Sequence, residues 1–417
     1  MKIMDTSRPL LRRAGALAAM AVTLMAAGAC DDSTGTSNRR EVTIGGIFSL
    51  TGNWSSLGVT SKAALELAIE DANAQAAGSG VTFVADVRDT KLDPAAALAA
   101  VQSMRGDGVQ IIIGPQSSAE LAAIKPYVDA NPVLIVSQSS TAGSLAIAGD
   151  HIFRFTAADS LEGVASAALA YGDGIRTLIP VWRADAGNQG LHVATRRAFA
   201  ARGGTVSSGV EYGATTTSFT ATIAALGTQV RAALATRPAS EVGVYLAGFD
   251  EIADVFTAAA ADPVLASVRW YGADGIAQSS ALTARPAAVS FAETVGFPSA
   301  LFGLDLTART SWEPIAQRIQ QRAGNAPDAF ALAVYDAVRV AALAYITSRD
   351  GVDVDSLAAR YAQAASSYHG ATGWAALNAA GDRRYADFDF WAIRPSGTSH
   401  AWTRVAGYET RSGTLTR

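Results

Sequence analysis

The chain has 417 residues, 49% of them hydrophobic and 17% charged, with a formal net charge of −4. That length and apolar content allow two domains with sizeable cores, and the charge offers no basic excess to hold nucleic acid or an anionic lipid surface. The single cysteine, Cys30, excludes a disulfide framework, so each domain has to be stable through packing alone.

At the start of the chain, Arg8, Arg12 and Arg13 precede an apolar run from Ala14 to Ala27, and Gly28 and Ala29 lead into Cys30. A charged n-region, a short h-region and small residues at a cleavage point predict a signal peptide over 1–29. A cysteine directly after the cleavage point resembles a bacterial lipobox, with Ala27 where leucine is usual, and predicts lipidation of Cys30. A secreted protein with one leftover thiol is the alternative. The polar stretch 30–40 suits a flexible tether. Beyond the leader no uninterrupted apolar run reaches 18 residues, so no second membrane span is expected.

From Glu41 onward, strand-like runs alternate with alanine-rich helical patterns. Strands are expected at 41–48, 81–87, 109–113, 132–136, 177–181, 205–212, 241–247 and 268–272. Helices are expected at 58–74, 94–104, 119–128, 163–171, 190–202, 219–235 and 251–261. A long helix at 328–347 and a strand at 388–394 close the pattern. Such alternation predicts an α/β fold of doubly wound parallel sheets, and the length suits two sheets better than one.

Ligands of open parallel α/β sheets sit at the carboxyl ends of strands, where loops feed into helix N-termini. The run 109–113 ends in Gly114-Pro115-Gln116-Ser117-Ser118, and the run 132–136 ends in Ser137-Gln138-Ser139-Ser140-Thr141. Two hydroxyl clusters beside helix N-termini suit an anion, most simply a carboxylate. Either cluster alone would read as helix capping; their recurrence on successive strands favours a site. The strand 268–272 ends in Ala273-Asp274-Gly275, an acid that could pair with a cationic group or simply occupy a solvated turn. Hydroxyls on one side and a carboxylate on the other make a receptor for a zwitterion.

The order of these pieces resembles the Leu/Ile/Val-binding family of extracellular solute-binding proteins. The matching stretches are VTIGGIF running into SLTGNW, AIEDANA, VRDTKLDPAAALAAVQSM, DGVQIIIGPQSS and VLIVSQSSTAGSL. They continue through SFTATIAAL, GFDEIADVFTAA, YGADGIA, AVYDAVRVAALA and HGATGWAALNAAGDRRYADFDFWAI, so that the likeness spans about Glu41 to Ile393. The resemblance implies a type I periplasmic-binding fold, two doubly wound parallel-sheet lobes joined by a three-stranded hinge. One lobe would hold 41–158 and 298–373, the other 159–297 and 374–405, with crossings near Ala158, Phe297 and Trp374. It implies that Ser118, Ser139, Ser140 and Thr141 bind a ligand carboxylate and part of its ammonium, and that Asp274 holds the ammonium. Trp54 and Phe249 would cover the ligand from opposite lobes; core or rim packing is the plainer reading of both.

Three positions depart from the family pattern. Leu57 and Gly187 stand where tyrosines are frequent, so Gly187 is expected to widen the pocket, with Trp182, Arg183 and Asp185 compensating. Ser117 stands where a disulfide cysteine can lie. The implied function is a lipid-anchored, monomeric substrate-binding protein of an ABC importer. It would bind an amino acid or related small polar solute by hinge closure and deliver it to a membrane permease outside the cytoplasm. A ligand-sensing or envelope-regulatory lipoprotein on the same fold is the alternative. An enzyme is disfavoured: His151, His192, His369 and His400 show no ligand spacing. No G-x-S-x-G elbow, Walker loop or strand-linked G-x-G-x-x-G occurs, and no cofactor or metal is expected.

Overall fold

The structure, a computed structural model, describes residues 40–304, 306–348 and 353–417. The expected leader over 1–29, Cys30 and the tether up to residue 39 lie outside the described residues; Arg40, assigned to the tether, already opens a strand. The first half of the chain runs β1 (Arg40–Phe48), α1 (Ser55–Gln75), β2 (Val81–Asp89), α2 (Pro94–Gly106), β3 (Ile111–Ile113), α3 (Ser118–Ala130), β4 (Leu134–Ser137) and β5 (Ile152–Arg154). These five strands pair in parallel in the order β2-β1-β3-β4-β5. Ile111, Ile112, Ile113 and Leu134 to Val136 are buried outright, because helices cover both faces of a parallel sheet and leave no polar side.

A second sheet begins after α4 (Asp159–Gly172). Its elements are β6 (Thr177–Ala184), α5 (Ala186–Ala201), β7 (Thr205–Val206), β8 (Val210–Gly213), α6 (Thr220–Leu234), β9 (Val242–Ala247), α7 (Ile252–Ala259), α8 (Pro263–Ala266), β10 (Arg269–Gly272), α9 (Ser280–Thr283), α10 (Pro286–Val295) and β11 (Ser299–Phe302). The chain returns to the first sheet with α11 (Arg309–Ala323), α12 (Ala329–Ile346), α13 (Val354–Ser367) and the small hairpin β12 (His369–Gly370) and β13 (Gly373–Trp374). It ends with β14 (Phe388–Ser396), β15 (Ser399–Glu409) and β16 (Thr414–Thr416). The second sheet is ordered β16-β15-β14-β11-β10-β9-β6-β7, with β8 also on β6. Its β6 to β11 core is parallel, whereas β14, β15 and β16 add antiparallel strands. α12 is long and apolar enough to cross a membrane, but it is a core helix, buried on almost every side.

Sheet membership places two of the three crossings later in the chain than the sequence reading does. The first, between Arg154 of β5 and Asp159 of α4, brackets Ala158. β11 pairs with β10 and β14, so the chain leaves the second sheet after Phe302 and not near Phe297. Asp382 still bridges to Arg154 of the first sheet, so the last crossing lies between Arg383 and Phe388 and not near Trp374. The second sheet also continues past residue 405 to Thr416. Composition reveals a strand but not its pairing partner, which is what decides these boundaries. The expected strand 205–212 is split because Gly209 takes φ +74°, and a Cβ there would lie 2.5 Å from the Pro180 carbonyl oxygen.

In each sheet the strand order reverses at one place: between β1 and β3 in the first, and between β6 and β9 in the second. Loops leaving the two strands at such a switch point diverge to opposite faces and open a crevice. The two crevices face each other across the boundary between the lobes.

Candidate ligand-binding site

Three loops of the first lobe are tied into one surface. Gly114 ends β3 with φ +103°, and a Cβ there would lie 2.2 Å from the Ile47 carbonyl oxygen, so this turn requires glycine. Gln116, next in the loop, donates from Nε2 to the Trp54 carbonyl (3.0 Å) and accepts from the Ser49 N–H (3.1 Å), fixing the loop after β1. Ser137 and Ser139 hydroxyls donate to the Pro115 and Gln116 carbonyls at 2.6 and 2.8 Å, fixing the loop after β4.

The two hydroxyl clusters divide their labour. Ser117 caps α3: its Oγ accepts from the Glu120 N–H at 3.2 Å, while the Glu120 carboxylate accepts from the Ser117 N–H and hydroxyl. Ser118 does no capping. Its Oγ accepts from the Ser140 hydroxyl (3.0 Å) and from the N–H groups of Thr141 and Ala142 (3.2 Å each). The two N–H groups can fill both lone pairs of the oxygen, so the Ser118–Ser140 hydroxyl pair shares one hydrogen bond and keeps one proton to donate, beside a helix N-terminus whose first N–H groups have no helical acceptor. Ser118, Ser139, Ser140 and Thr141 are therefore brought together, all buried.

The loop that carries Ser140 to Ala142 is braced from behind. Arg154 donates to the Ala142 and Ser140 carbonyls at 2.6 and 3.3 Å, and its other nitrogens make a two-pronged ion pair with Asp382 at 2.6 and 2.7 Å. Sequence reading assigned no role to Arg154, although an arginine inside the apolar run IFRF was a signal. Buried charge of this kind persists only when paired.

The second lobe contributes Phe249, Asp250 and Glu251 after β9, Arg183 and Asp185 at the end of β6, and Asp274 after β10. Trp54 and Phe249 stack directly, with ring centroids 4.3 Å apart and planes at 25°. Beside them Asn53 donates to Glu251 (2.7 Å) and accepts from the Glu251 N–H (3.2 Å), while the Ser56 N–H and hydroxyl donate to Asp250 at 3.2 and 2.8 Å. The lobes are closed upon each other. Asn53, Ser56, Asp250 and Glu251 were missed because each reads as an ordinary polar loop or helix-start residue until the second sheet is placed opposite.

Gly187 does not open a void. A Cβ there would lie 3.3 Å from Ser118 Oγ, so its bareness lets α5 approach the hydroxyl cluster. Nor does Trp182 compensate in the cleft: it stacks on His192 at 3.9 Å and donates to Glu211 at 3.0 Å. Arg183 and Asp185 do stand at the cleft, paired to each other at 2.9 Å, and Arg183 lies 5.4 Å from the Phe249 ring centre.

Asp274 is buried, and its neighbour within the protein is another acid. Its N–H donates to the Glu162 carboxylate at 3.2 Å. Burial raises the Asp274 carboxyl to about 6; burial, then the charges of Asp274 and Asp159, raise Glu162 well above the carboxylate range. Asp159, whose N–H donates to the Thr141 carbonyl at 3.0 Å, is pushed to about 8 by burial and by the Asp274 charge, while the nearby Thr141 hydroxyl and Arg154 oppose the shift. The acidic group thus adjoins the hydroxyl loop through Asp159 and Thr141. No group of three or more metal-ligating side chains is found among the described residues.

Comparison with known proteins agrees with this architecture. The sequence profile of a family described as periplasmic binding protein matches residues 41–394. An uncharacterized protein of Methanocaldococcus jannaschii is 25% identical over 398 residues, covering 91% of this chain and 92% of the relative. Among solved structures, the branched-chain amino acid substrate-binding protein LivJ of Streptococcus pneumoniae with isoleucine superposes with TM-score 0.71 at 17% identity. It covers 88% of this chain and 100% of its own. A solute-binding protein of an ABC transporter from R. palustris with benzoate also gives 0.71 at 17% identity, covering 88% and 96%. The fold is the type I periplasmic-binding fold.

Proposed function

The chain belongs to the periplasmic binding protein family of ABC transporter substrate-binding proteins, and we propose that it captures an amino acid or a closely related polar solute between its lobes for an importer. One observation carries the reading: a buried hydroxyl and N–H cluster, Ser118 with Ser140 and Thr141, adjoins a buried acidic group containing Asp274. Donors at one end suit a carboxylate; acids at the other suit an ammonium. Isoleucine and benzoate, held by the two structural neighbours, share a carboxylate, but only the amino acid brings a cation for the acidic end. Ser139 fixes the donor loop, and Trp54 and Phe249 supply the apolar wall.

Capture works by hinge closure. Ligand first meets the hydroxyl loop of the first lobe, and the second lobe then brings Phe249 and the acidic group onto it. Closure is a population shift, driven only by contacts that the ligand makes better in the closed state. The protein acts outside the cytoplasm, as a monomer tethered through a lipidated Cys30, and hands its ligand to a membrane permease. A thermal-shift screen against amino acids, amides and small carboxylates tests the reading, because a ligand of the native state raises its melting temperature. Stabilisation by aromatic or aliphatic monocarboxylates, with none by any α-amino acid, overturns it.

A further inference from the structure

Charge in the cleft is lopsided. Asp159 and Glu162 from α4 and Asp274 from the loop after β10 are nearly inaccessible and close enough to perturb one another. Two cations stand near, and both are taken. Arg154 is held by Asp382, and Arg183 by Asp185 and Glu251 at 2.9 and 3.7 Å. Asp328, half-buried, caps α12 by accepting from the Ala331 N–H at 2.8 Å and adds a fourth acid whose titration feels Asp274. Asp250 is satisfied by Ser56 and Ser279.

The cluster includes buried polar atoms that no described residue fully satisfies. Apart from the Thr141 hydroxyl that opposes its shift, the Asp159 carboxylate has no hydrogen-bond partner among the described residues, although it is 3% exposed. The hydroxyl of Tyr245, 1% exposed on β9, has Thr195 as its hydroxyl neighbour and Glu162, Asp274 and Asp159 as electrostatic neighbours. The Ser166 hydroxyl on α4 also has no partner among the described residues. Buried polar atoms are almost always satisfied by something.

A single α-ammonium does not fill this set. Glu162 and Asp274 can share one proton and present one negative charge to it, which leaves the Asp159 carboxylate without a cation. We propose that the ligand carries a second cationic nitrogen besides its α-ammonium, as a basic amino acid does, with Asp159 and the Glu162–Asp274 pair as separate anchors. The assignment rests on the amino-acid reading above and narrows it to one charge class.

Calorimetric titration of the purified full chain with L-lysine, L-ornithine, L-arginine, L-leucine and L-glutamine at pH 7.5 tests it. At least one basic amino acid should bind at least about tenfold tighter than both neutral ones. Glu162→Gln and Asp159→Asn should each reduce that ratio about tenfold or more. Circular dichroism confirms that each variant is folded, and either variant suffices for the comparison. Basic ligands should also release protons on binding, read as a dependence of the heat on buffer ionisation enthalpy. If neutral amino acids bind as tightly as basic ones, or the ratio survives both substitutions, the charge assignment fails while the amino-acid reading stands. If no amino acid of either class binds, both fail.

Discussion

Asp159→Asn gives the sharpest test of the acidic group in the empty protein. The side chain keeps its shape and loses only the ability to ionise. In the folded protein Asp159 titrates at about 8 against an ordinary value of 3.8, chiefly through burial and secondarily through the Asp274 charge. A carboxyl raised on folding binds more protons in the native than in the unfolded state over that interval. Stability is therefore fully present below about pH 4 and is lost as pH rises toward 8. At about 1.4 kcal/mol per unit, the interval between pH 5 and pH 8 corresponds to at most about 4 kcal/mol, and relaxation of the site should reduce that to about 2–3 kcal/mol. The asparagine variant escapes this loss. Urea denaturation of ligand-free protein should show it gaining about 2–3 kcal/mol on wild type between pH 5 and pH 8, with the two proteins closest at the acid end. Parallel pH profiles would refute the placing of an uncompensated acid at this position.

Other substitutions separate the parts of the cleft. Ser118→Ala should weaken ligand binding by about 1–2 kcal/mol, since the Thr141 and Ala142 N–H groups, freed from Ser118 Oγ, remain to donate to the carboxylate; calorimetry showing a loss as large as for Asp274 would reverse that ranking. Asp274→Ala should cost about 2–3 kcal/mol of affinity, less than an isolated buried partner would, because Glu162 remains beside the ammonium. Unchanged affinity would remove Asp274 from the site. Arg154→Met strands Asp382 and should destabilise the fold by about 3–5 kcal/mol in denaturant titrations; a loss below 1 kcal/mol would show that the pair is not a brace.

Much of the architecture was legible because its signals are local. The triple isoleucine of β3 and the apolar run of β4 announce strands buried on both faces, and the Ser and Thr residues after them fall at strand ends where parallel sheets expose helix N-termini. What stayed hidden depends on which segment lies opposite which. Asp159 and Glu162 sit in the first turn of α4, where acids suit the helix dipole and arouse no suspicion. Only the return of β10 beside that turn makes them partners of Asp274. Gly187 shows the same limit. By itself a missing side chain suggests room, yet the hydroxyl of Ser118 comes from the other lobe to occupy it. The late crossings at Phe302 and Arg383 also follow from pairing, which strand-forming residues do not encode.

The closed arrangement sets two opposing energies against each other. Four hydrogen bonds join Asn53 and Ser56 to Glu251 and Asp250 across the boundary, and Trp54 stacks on Phe249. At about 0.5–1.5 kcal/mol net for each bond and a similar amount for the ring pair, closure gains roughly 3–7 kcal/mol before hinge entropy is subtracted. Against it stands the desolvation of Asp159, Glu162 and Asp274, which costs several kcal/mol for each group that stays ionised. Protonation removes that cost at low pH, and a bound cation removes it at neutral pH. The four cross-lobe hydrogen bonds involve neither the hydroxyl cluster nor the buried acids, so they cannot by themselves make closure conditional on ligand. The acids can, because Arg154 and Arg183 are already paired and a cationic ligand brings the countercharge these do not supply. Scattering from the ligand-free protein should therefore show a larger radius of gyration at pH 8 than at pH 5, and addition of the cognate ligand at pH 8 should restore the smaller value. A radius independent of pH would mean that the acids do not control the hinge.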